Sequence, residues 1–528
     1  MGEHYPELTL QSLQSLLNDR FGDAFLTLRD LPHPSAFKDM DRATARIAQA
    51  VENSEKITVI GDYDVDGIIS TTLMKLFFDE IGYPVEWIIP NRFQDGYGLS
   101  ANIIPRIKST DLAITVDNGI SAVEAAQMCK ELGIDLIITD HHLLPPELPE
   151  AYAIIDQKQK ECNFPYKEVC GAQIAWYLIA SLKNHLNVEI DLMAYMELAA
   201  IAIIADVMPL QHINRVMVTA GLKRLAKSHR PAIRAFLEQR EKRTLSSEDI
   251  AFFLAPLLNS AGRMDDASSA VDFLTSENIY DARVKLEILY QFNALRKETE
   301  EAITGEALKM VNKNDKFMVL WGEAWHEGVL GIVASRVARM YQKPAIILSY
   351  DKNGLLKGSG RSFAGCDIFE ITDRCREYLE KFGGHQAAIG LSLQKKNLEA
   401  FIKNIQDAYE TSNYIENERD PEIVGQLGFN QINKELIELI NQYEPFGEAN
   451  TRPKFITYNV CIKDVNTMGK EHNHLKFIFE KEGILFTGIK FKSTESFEIG
   501  TEVSITYTLH ENSFRGKNTL QLLVGNII

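Results

Sequence analysis

Three aspartates crowd the stretch Gly61-Asp62-Tyr63-Asp64-Val65-Asp66-Gly67. Carboxylates so close repel one another at pH 7 unless cations neutralise them. Asp117-Asn118-Gly119 and Asp140-His141-His142 add two acids and two imidazoles, and Ala205-Asp206-Val207 adds a further acid. Oxygen ligands mixed with imidazole suit manganese or magnesium. Histidine tilts the choice toward manganese, and the number of ligands admits a second ion. Alone, an Asp-rich loop is also a calcium site or a helix cap; the Asp-His-His stretch and Asp206 favour the metal centre.

The elements that must position these groups are legible beside them. Residues 57–60, 112–116 and 135–139 are apolar runs of strand character, and each stops at one of the acidic or histidine clusters. In an open parallel sheet the carboxyl ends of strands lie side by side, so ligands distant in sequence converge on one crevice. Residues 121–132 read as a crossover helix, which sets Asp117 and His141 one strand-helix-strand unit apart.

The chain has 528 residues, too many for one core. Residues 1–220 read as α/β, with short β-branched runs alternating with helical patterns; 221–313 read as a helical connector and 314–410 as a second α/β unit. After a polar, acidic boundary at 411–421, the segment to 528 reads as short strands with turns, a small β-barrel of the oligonucleotide-binding (OB) type. An apolar content of 45% and a charged content of 24% are globular averages, and no segment is apolar for the length a membrane span needs. The first residues carry no basic flank with an apolar segment, so the expected location is cytoplasmic. Six cysteines lack a Cys-x-x-Cys pair and read as free thiols. A net charge of −17 argues against a protein that coats nucleic acid all over. A local basic run, 215–243, is either a solvated helix face or a phosphate track.

Asp62-Tyr63-Asp64-Val65-Asp66-Gly67, Asp117-Asn118-Gly119, Asp140-His141-His142 and Ala205-Asp206-Val207 resemble, in order, the motifs of the DHH phosphoesterase superfamily. More narrowly, Asn91-Arg92-Phe93 with Gly96-Tyr97-Gly98-Leu99, Leu258-Asn259-Ser260-Ala261-Gly262-Arg263, the run from Trp325 to Arg336, Gly358-Ser359-Gly360-Arg361-Ser362 and Phe382-Gly383-Gly384-His385 resemble the RecJ family of single-strand-specific 5′→3′ exonucleases. One departure is Ile60, where many members of the superfamily place a histidine ligand.

The resemblance implies two ions, Mn²⁺ or Mg²⁺, held by Asp64, Asp66, Asp117, His141 and Asp206, with Asp117 bridging and Asp62 either a ligand or a partner that orients one. It implies that His142 faces the scissile phosphate while Asp140 orients a neighbouring histidine. The reaction would be metal-assisted hydrolysis of single-stranded DNA from its 5′ end, releasing 5′-mononucleotides. A Gly-Ser-Gly turn at 358–360 would present backbone N–H groups with Ser359, Gly360, Arg361 and Ser362 to a terminal 5′-phosphate. Arg263 would contribute, His385 would reach the cleaved phosphate, and Arg92 would contact the nucleotide backbone. In these terms 1–220 is the catalytic DHH unit, 314–410 its associated phosphate- and nucleic-acid-binding unit, and 411–528 an OB-like nucleic-acid-binding unit. In the last, Lys490-Phe491-Lys492 and Phe514-Arg515-Gly516-Lys517 interleave aromatics with cations.

Partners implied are single-stranded DNA with a 5′ end, a single-strand-binding protein and recombination mediators. The rival enzyme is a small-substrate DHH phosphoesterase acting on pyrophosphate, oligonucleotides or cyclic dinucleotides; a catalytically dead scaffold ranks below it because the acids and both histidines are intact. His326-Glu327 fails as a zinc-protease motif because Leu330 stands where a second histidine belongs.

Overall fold

The computed structural model describes residues 5–21, 26–350, 354–412, 420, 422–469, 473–493, 495–514 and 517–528. The first sheet contains β1 (Ile57–Ile60), β2 (Glu86–Ile88), β3 (Leu112–Val116), β4 (Asp135–Thr139) and β5 (Ala153–Ile155). Its order is β2-β1-β3-β4-β5 and every pair is parallel. The strands are continuous apolar runs because both faces are covered. Val59, Ile114 and Ile137 enter the core on one side. Ile60, Ala113 and Ile138 enter a separate core on the other. The winding reverses between β1 and β3, the switch point at which such sheets open a crevice.

Helix Val65–Glu80 follows β1 directly, and Gly171–Leu186 and Leu192–Ala205 pack on the same side. The last of these is apolar all round and buried along nearly its whole length.

The 221–313 region differs from a free-standing arm. Ile233, Phe236, Leu257, Leu258 and Phe273 lie in the same core as the first sheet. Helix Ile279–Leu308, 30 residues long, bridges the lobes. Its Leu286 and Leu289 enter the first core, and its Ile303 and Ala307 enter a core shared with the second lobe. An amphipathic pattern announces a helix but not the surface its stripe will cover.

The second lobe is built on β6 (Met318–Glu323), β7 (Ala345–Tyr350), β8 (Leu355–Arg361), β9 (Lys381–His385) and β10 (Ala388–Gln394), ordered β6-β7-β8-β10-β9. The β6–β7 pair is parallel and the others antiparallel. Gly358-Ser359-Gly360 is not a turn, contrary to the sequence reading. It lies inside β8, paired with β7 on one side and β10 on the other. The glycines are there for space. A Cβ on Gly358 would stand 2.4 Å from the Ile347 carbonyl oxygen, and one on Gly360 would stand 2.6 Å from the Ile389 side chain.

The last unit has β11 (Ile423–Gln426), β12 (Lys454–Met468), β13 (His474–Lys481), β14 (Ile484–Lys490), β15 (Glu502–Phe514) and β16 (Lys517–Ile527). The order is β11-β12-β13-β14-β16-β15, and pairing of β12 with β15 closes five strands into a barrel with β11 added outside. Most of the acidic stretch 411–421 lies outside the described residues, as do Arg515 and Gly516.

The first residues of the chain belong spatially to this barrel. Leu8, Leu13, Leu17 and Phe21 are buried in one core with Leu427, Ile440, Phe455 and Tyr507, and Glu7 bridges to Gln426. Short contacts hold this end of the barrel to the first lobe. Leu210 N–H donates to the Glu448 carbonyl (2.8 Å), the Ser247 hydroxyl to that of Phe446 (2.6 Å) and Arg215 to that of Glu444 (2.8 Å). Among the described residues no helix is long and apolar enough to cross a membrane.

Candidate metal centre and phosphate pocket

Helix Val65–Glu80 begins at the crevice, and its first turn is arranged by the acids themselves. Asp64 caps it, accepting the N–H groups of Asp66 (3.0 Å) and Gly67 (3.2 Å). The cap and the metal-ligand readings therefore share one residue. Asp66 is buried and accepts the N–H groups of Gly171 (2.6 Å) and Ala172 (2.8 Å), the first residues of helix Gly171–Leu186, where a carboxylate is favoured. Gly171 allows the approach: a Cβ there would lie 2.5 Å from the Cβ of Asp117. Asp117 follows β3 with φ of 63°, a left-handed conformation that aspartate tolerates better than most residues.

The His141 Nε2 atom stands 3.1 Å from Asp117 Oδ1 and 3.7 Å from both Asp66 Oδ2 and Asp206 Oδ2. Three overlapping sets have donor atoms within 4.8 Å of one another: Asp117, His141 and His142; Asp66, His141 and Asp206; Asp62, Asp64 and Asp117. Asp62 Oδ1, Asp117 Oδ1 and Asp206 Oδ2 are buried and have no hydrogen-bond partner. Orphaned carboxylate oxygens around an imidazole are the donor set that hard divalent cations take, so the residues present fit Mn²⁺ or Mg²⁺.

The electrostatics agree. Burial, followed by repulsion from the neighbouring acids, raises the carboxyls of Asp62, Asp64 and Asp117 and lifts Asp206 to about 9. Burial lowers His141 to about 4, which keeps the imidazole neutral and able to ligate. Burial also works against protonation of His142, but the Asp140 hydrogen bond and the surrounding carboxylates outweigh it and push His142 up to about 9. Asp140 Oδ1 accepts from His142 Nδ1 (2.6 Å) and from the N–H groups of His141 (2.7 Å) and His142 (3.1 Å). Its Oδ2 accepts from Ile120 N–H (2.9 Å). Asp140 thus orients His142, the half-exposed histidine at the mouth. Ile60, where a histidine ligand is common, packs with Ile88 and Ala113 in the core on the other face of the sheet.

Arginines from both lobes gather on the open side. The Arg92 guanidinium lies 4.5 Å from the Tyr63 ring centroid. Arg263 donates to the Gly328 carbonyl (3.2 Å) across the lobes. Burial, then the charges of Arg92, Arg296 and Arg361, lowers Arg263 to about 10. Arg361 is held by the Ser359 hydroxyl (2.8 Å) and the Gly360 carbonyl (2.7 Å) beneath the start of helix Leu330–Tyr341, where Gly331 leaves it room. Because β8 uses its backbone in the sheet, this pocket is lined by side chains rather than by a cradle of N–H groups. Ser362 gives its N–H to the Ala387 carbonyl (3.0 Å). His385 is exposed at the end of β9, with Nδ1 accepting from Ala387 N–H (3.3 Å).

Two further groups, one beside Arg263 and one beside His142, carry no role in the sequence analysis. Arg296 is one, tied to Glu300 (3.2 Å) on the bridging helix. The Tyr97 hydroxyl is the other, 3.4 Å from His142 Nε2. The basic run is largely engaged elsewhere. Arg224 pairs with Asp191, Arg230 with the buried Glu197, Lys242 with Asp249, and Arg240 stacks on Phe253. On the barrel, Phe491 is exposed and meets His474 edge-on, and Lys490 pairs with Glu495.

Comparison with known proteins agrees with this architecture. The model of the DHH family, N-terminal domain, matches residues 56–203. The DHHA1 domain matches 314–411 and the RecJ OB domain 423–526. The single-stranded-DNA-specific exonuclease RecJ of Haemophilus influenzae is 33% identical, the alignment covering 95% of this chain and 92% of the relative. That of Bacillus subtilis is 35% identical over 94% of this chain, which spans only 64% of that longer protein. The crystal structure of Thermus thermophilus RecJ in complex with Mn²⁺ superposes with a TM-score of 0.82 at 25% identity, covering 99% of this chain and 79% of the other. With its parallel sheet ending in paired acids and histidines, arginines gathered from both lobes and a closing barrel, the chain belongs to the RecJ family of DHH phosphoesterases.

Proposed function

We propose that this chain is a metal-dependent exonuclease that degrades single-stranded DNA from the 5′ end to 5′-mononucleotides, serving DNA repair and recombination. The observation that carries the reading is the meeting of two unlike groups: carboxylates with orphaned oxygens around His141, and beside them an arginine cluster in which Arg92 acts on Asp62, Arg263 on Asp64, and Arg361 lies within electrostatic reach of Arg263. Asp62, Asp64, Asp66, Asp117, His141 and Asp206 would hold two ions. When bound, Mn²⁺ or Mg²⁺ activates water at neutral pH and offsets charge on the reacting phosphate.

The chain's own groups do the rest. Arg263 and Arg361, with Ser359 fixing the latter, would bind the terminal 5′-phosphate, and Arg92 the backbone beside it. His142, oriented by its Nδ1 hydrogen bond to Asp140, would face the scissile phosphate with Nε2. His385, Gly360 and Ser362 would close the pocket from the second lobe. The barrel would hold the strand beyond the cut, and a single-strand-binding protein and recombination mediators in the cytoplasm would deliver it.

A small-substrate phosphoesterase has no use for a barrel whose base is packed against the catalytic lobe by Leu210, Arg215 and Ser247. The deciding measurement compares a long 5′-phosphorylated single strand, its duplex, a dinucleotide and pyrophosphate, with Mn²⁺ or Mg²⁺. Mononucleotide release from the long single strand is expected; cleavage confined to dinucleotides or pyrophosphate would overturn the reading. Asp117→Ala should reduce kcat by about 10³-fold or more while leaving strand binding within a few-fold.

A further inference from the structure

The loop after β5 touches the centre from a side that the metal ligands do not use. Asp140 N–H donates to the Ile155 carbonyl (3.0 Å), so the end of β5 lies against the Asp140-His141-His142 turn. The next residues are tied down individually. Asp156, wholly buried, accepts Lys158 N–H (2.6 Å). Gln159 donates to the Ile154 carbonyl (2.5 Å). Gln157 donates to the Lys167 carbonyl (2.8 Å), and the Lys167 ammonium returns to the Gln157 carbonyl. From this braced loop the Lys158 ammonium donates to the carbonyl oxygen of His141.

Both backbone groups of His141 are therefore taken by charged side chains. Its N–H goes to Asp140 Oδ1 at 2.7 Å and its carbonyl to Lys158. The peptide planes on either side of the residue are fixed, and only the ring torsions are left to settle among Asp66, Asp117 and Asp206. A surface lysine would be expected in solvent. Lys158 is instead partly buried and within electrostatic reach of His141 and Asp206.

We propose that Lys158 is a positioning residue: by holding the His141 carbonyl it keeps the Asp140-His141-His142 turn in register, so that His141 faces the carboxylates and His142 faces the substrate. The inference rests on the nuclease reading above. Groups that orient a ligand from behind are typically worth about 10–100-fold in metal affinity or activity.

The test uses the full chain with Lys158→Met, which keeps the stem and removes the donor, and Lys158→Arg, which keeps a charged donor. Three readouts are taken: hydrogen exchange of the 139–143 amides without metal, Mn²⁺ affinity by electron paramagnetic resonance, and kcat and KM on a 5′-phosphorylated single strand. In Lys158→Met, exchange at 139–143 should quicken about tenfold, Mn²⁺ affinity should fall about tenfold, and kcat should fall with KM held within about twofold. Lys158→Arg should recover most of each loss. A folded Lys158→Met with unaltered exchange and Mn²⁺ affinity would overturn the proposal, as would a loss that arginine does not recover. Should the methionine variant not fold, Lys158→Leu, which also lacks a donor, takes its place under the same criteria. Wild-type protein without nuclease activity would sink the functional reading, whereas active wild type beside an unperturbed variant would sink only the role of Lys158.

Discussion

At the scale of single residues, the two adjacent histidines are driven in opposite directions by their surroundings. His141 is buried and kept neutral, down to about 4; His142 is held up to about 9 by Asp140 and the carboxylates beyond it. Replacing Asp140 with Asn removes the carboxylate charge behind the hydrogen bond that holds His142 up. In metal-free protein followed by NMR, the His142 midpoint should then fall from the alkaline range to near or below the ordinary histidine value, about 6.5. The acids and histidines that the structure gathers at the crevice are legible in the sequence, because their types crowd at the ends of apolar strand-like runs. Lys158 is not, because a side chain that serves a backbone carbonyl leaves no motif. Arg296 was hidden for a related reason: on a long Glu-Lys-rich helix it reads as one more solvated charge.

At the scale of elements, the centre depends on how closely a helix approaches a strand end. Helix Gly171–Leu186 delivers two N–H groups to Asp66 only because Gly171 leaves space beside Asp117. Gly171→Ala sets a methyl group against the Asp117 side chain and backbone, and should cost about 1–3 kcal/mol of stability in thermal melts while weakening Mn²⁺ binding in titrations. Strands β1, β3 and β4 were read with their observed limits, since buried parallel strands are unbroken apolar runs. Gly358-Ser359-Gly360 misled for a physical reason. Glycine marks both turns and close packing, and only the neighbours Ile347 and Ile389 decide which. The amphipathic helix Leu10–Asp19 likewise reveals its apolar face but not that the barrel receives it. Leu17→Ala, at a fully buried position there, should lower the denaturant midpoint by the equivalent of about 2–5 kcal/mol.

At the scale of the whole molecule, the acidic centre makes the metal-free protein sensitive to pH. Asp206 is raised from an unfolded value near 3.8 to about 9, so the folded chain holds protons there that the unfolded chain releases. That stability is present below the unfolded value and is lost as pH rises toward about 9; melting temperature without metal should therefore fall from pH 5 to pH 9. Mn²⁺ at 100 times its dissociation constant should restore about 2.7 kcal/mol, and its binding should release protons measurable by calorimetry in buffers of different ionisation enthalpy. A melting temperature indifferent to pH and to Mn²⁺ would show that the acids do not share a cation.

The pairing of the first residues with the last domain has a consequence in time. Leu8 and its partner Gln431 are 423 residues apart. At about 5–20 residues per second of synthesis, the apolar face of the first helix spends roughly 20–85 s on the ribosome before the surface that buries it has been made. A helix made long before its partner surface is among the last elements to find its place, and until then it is a ready ligand for any chaperone that meets a nascent amphipathic helix.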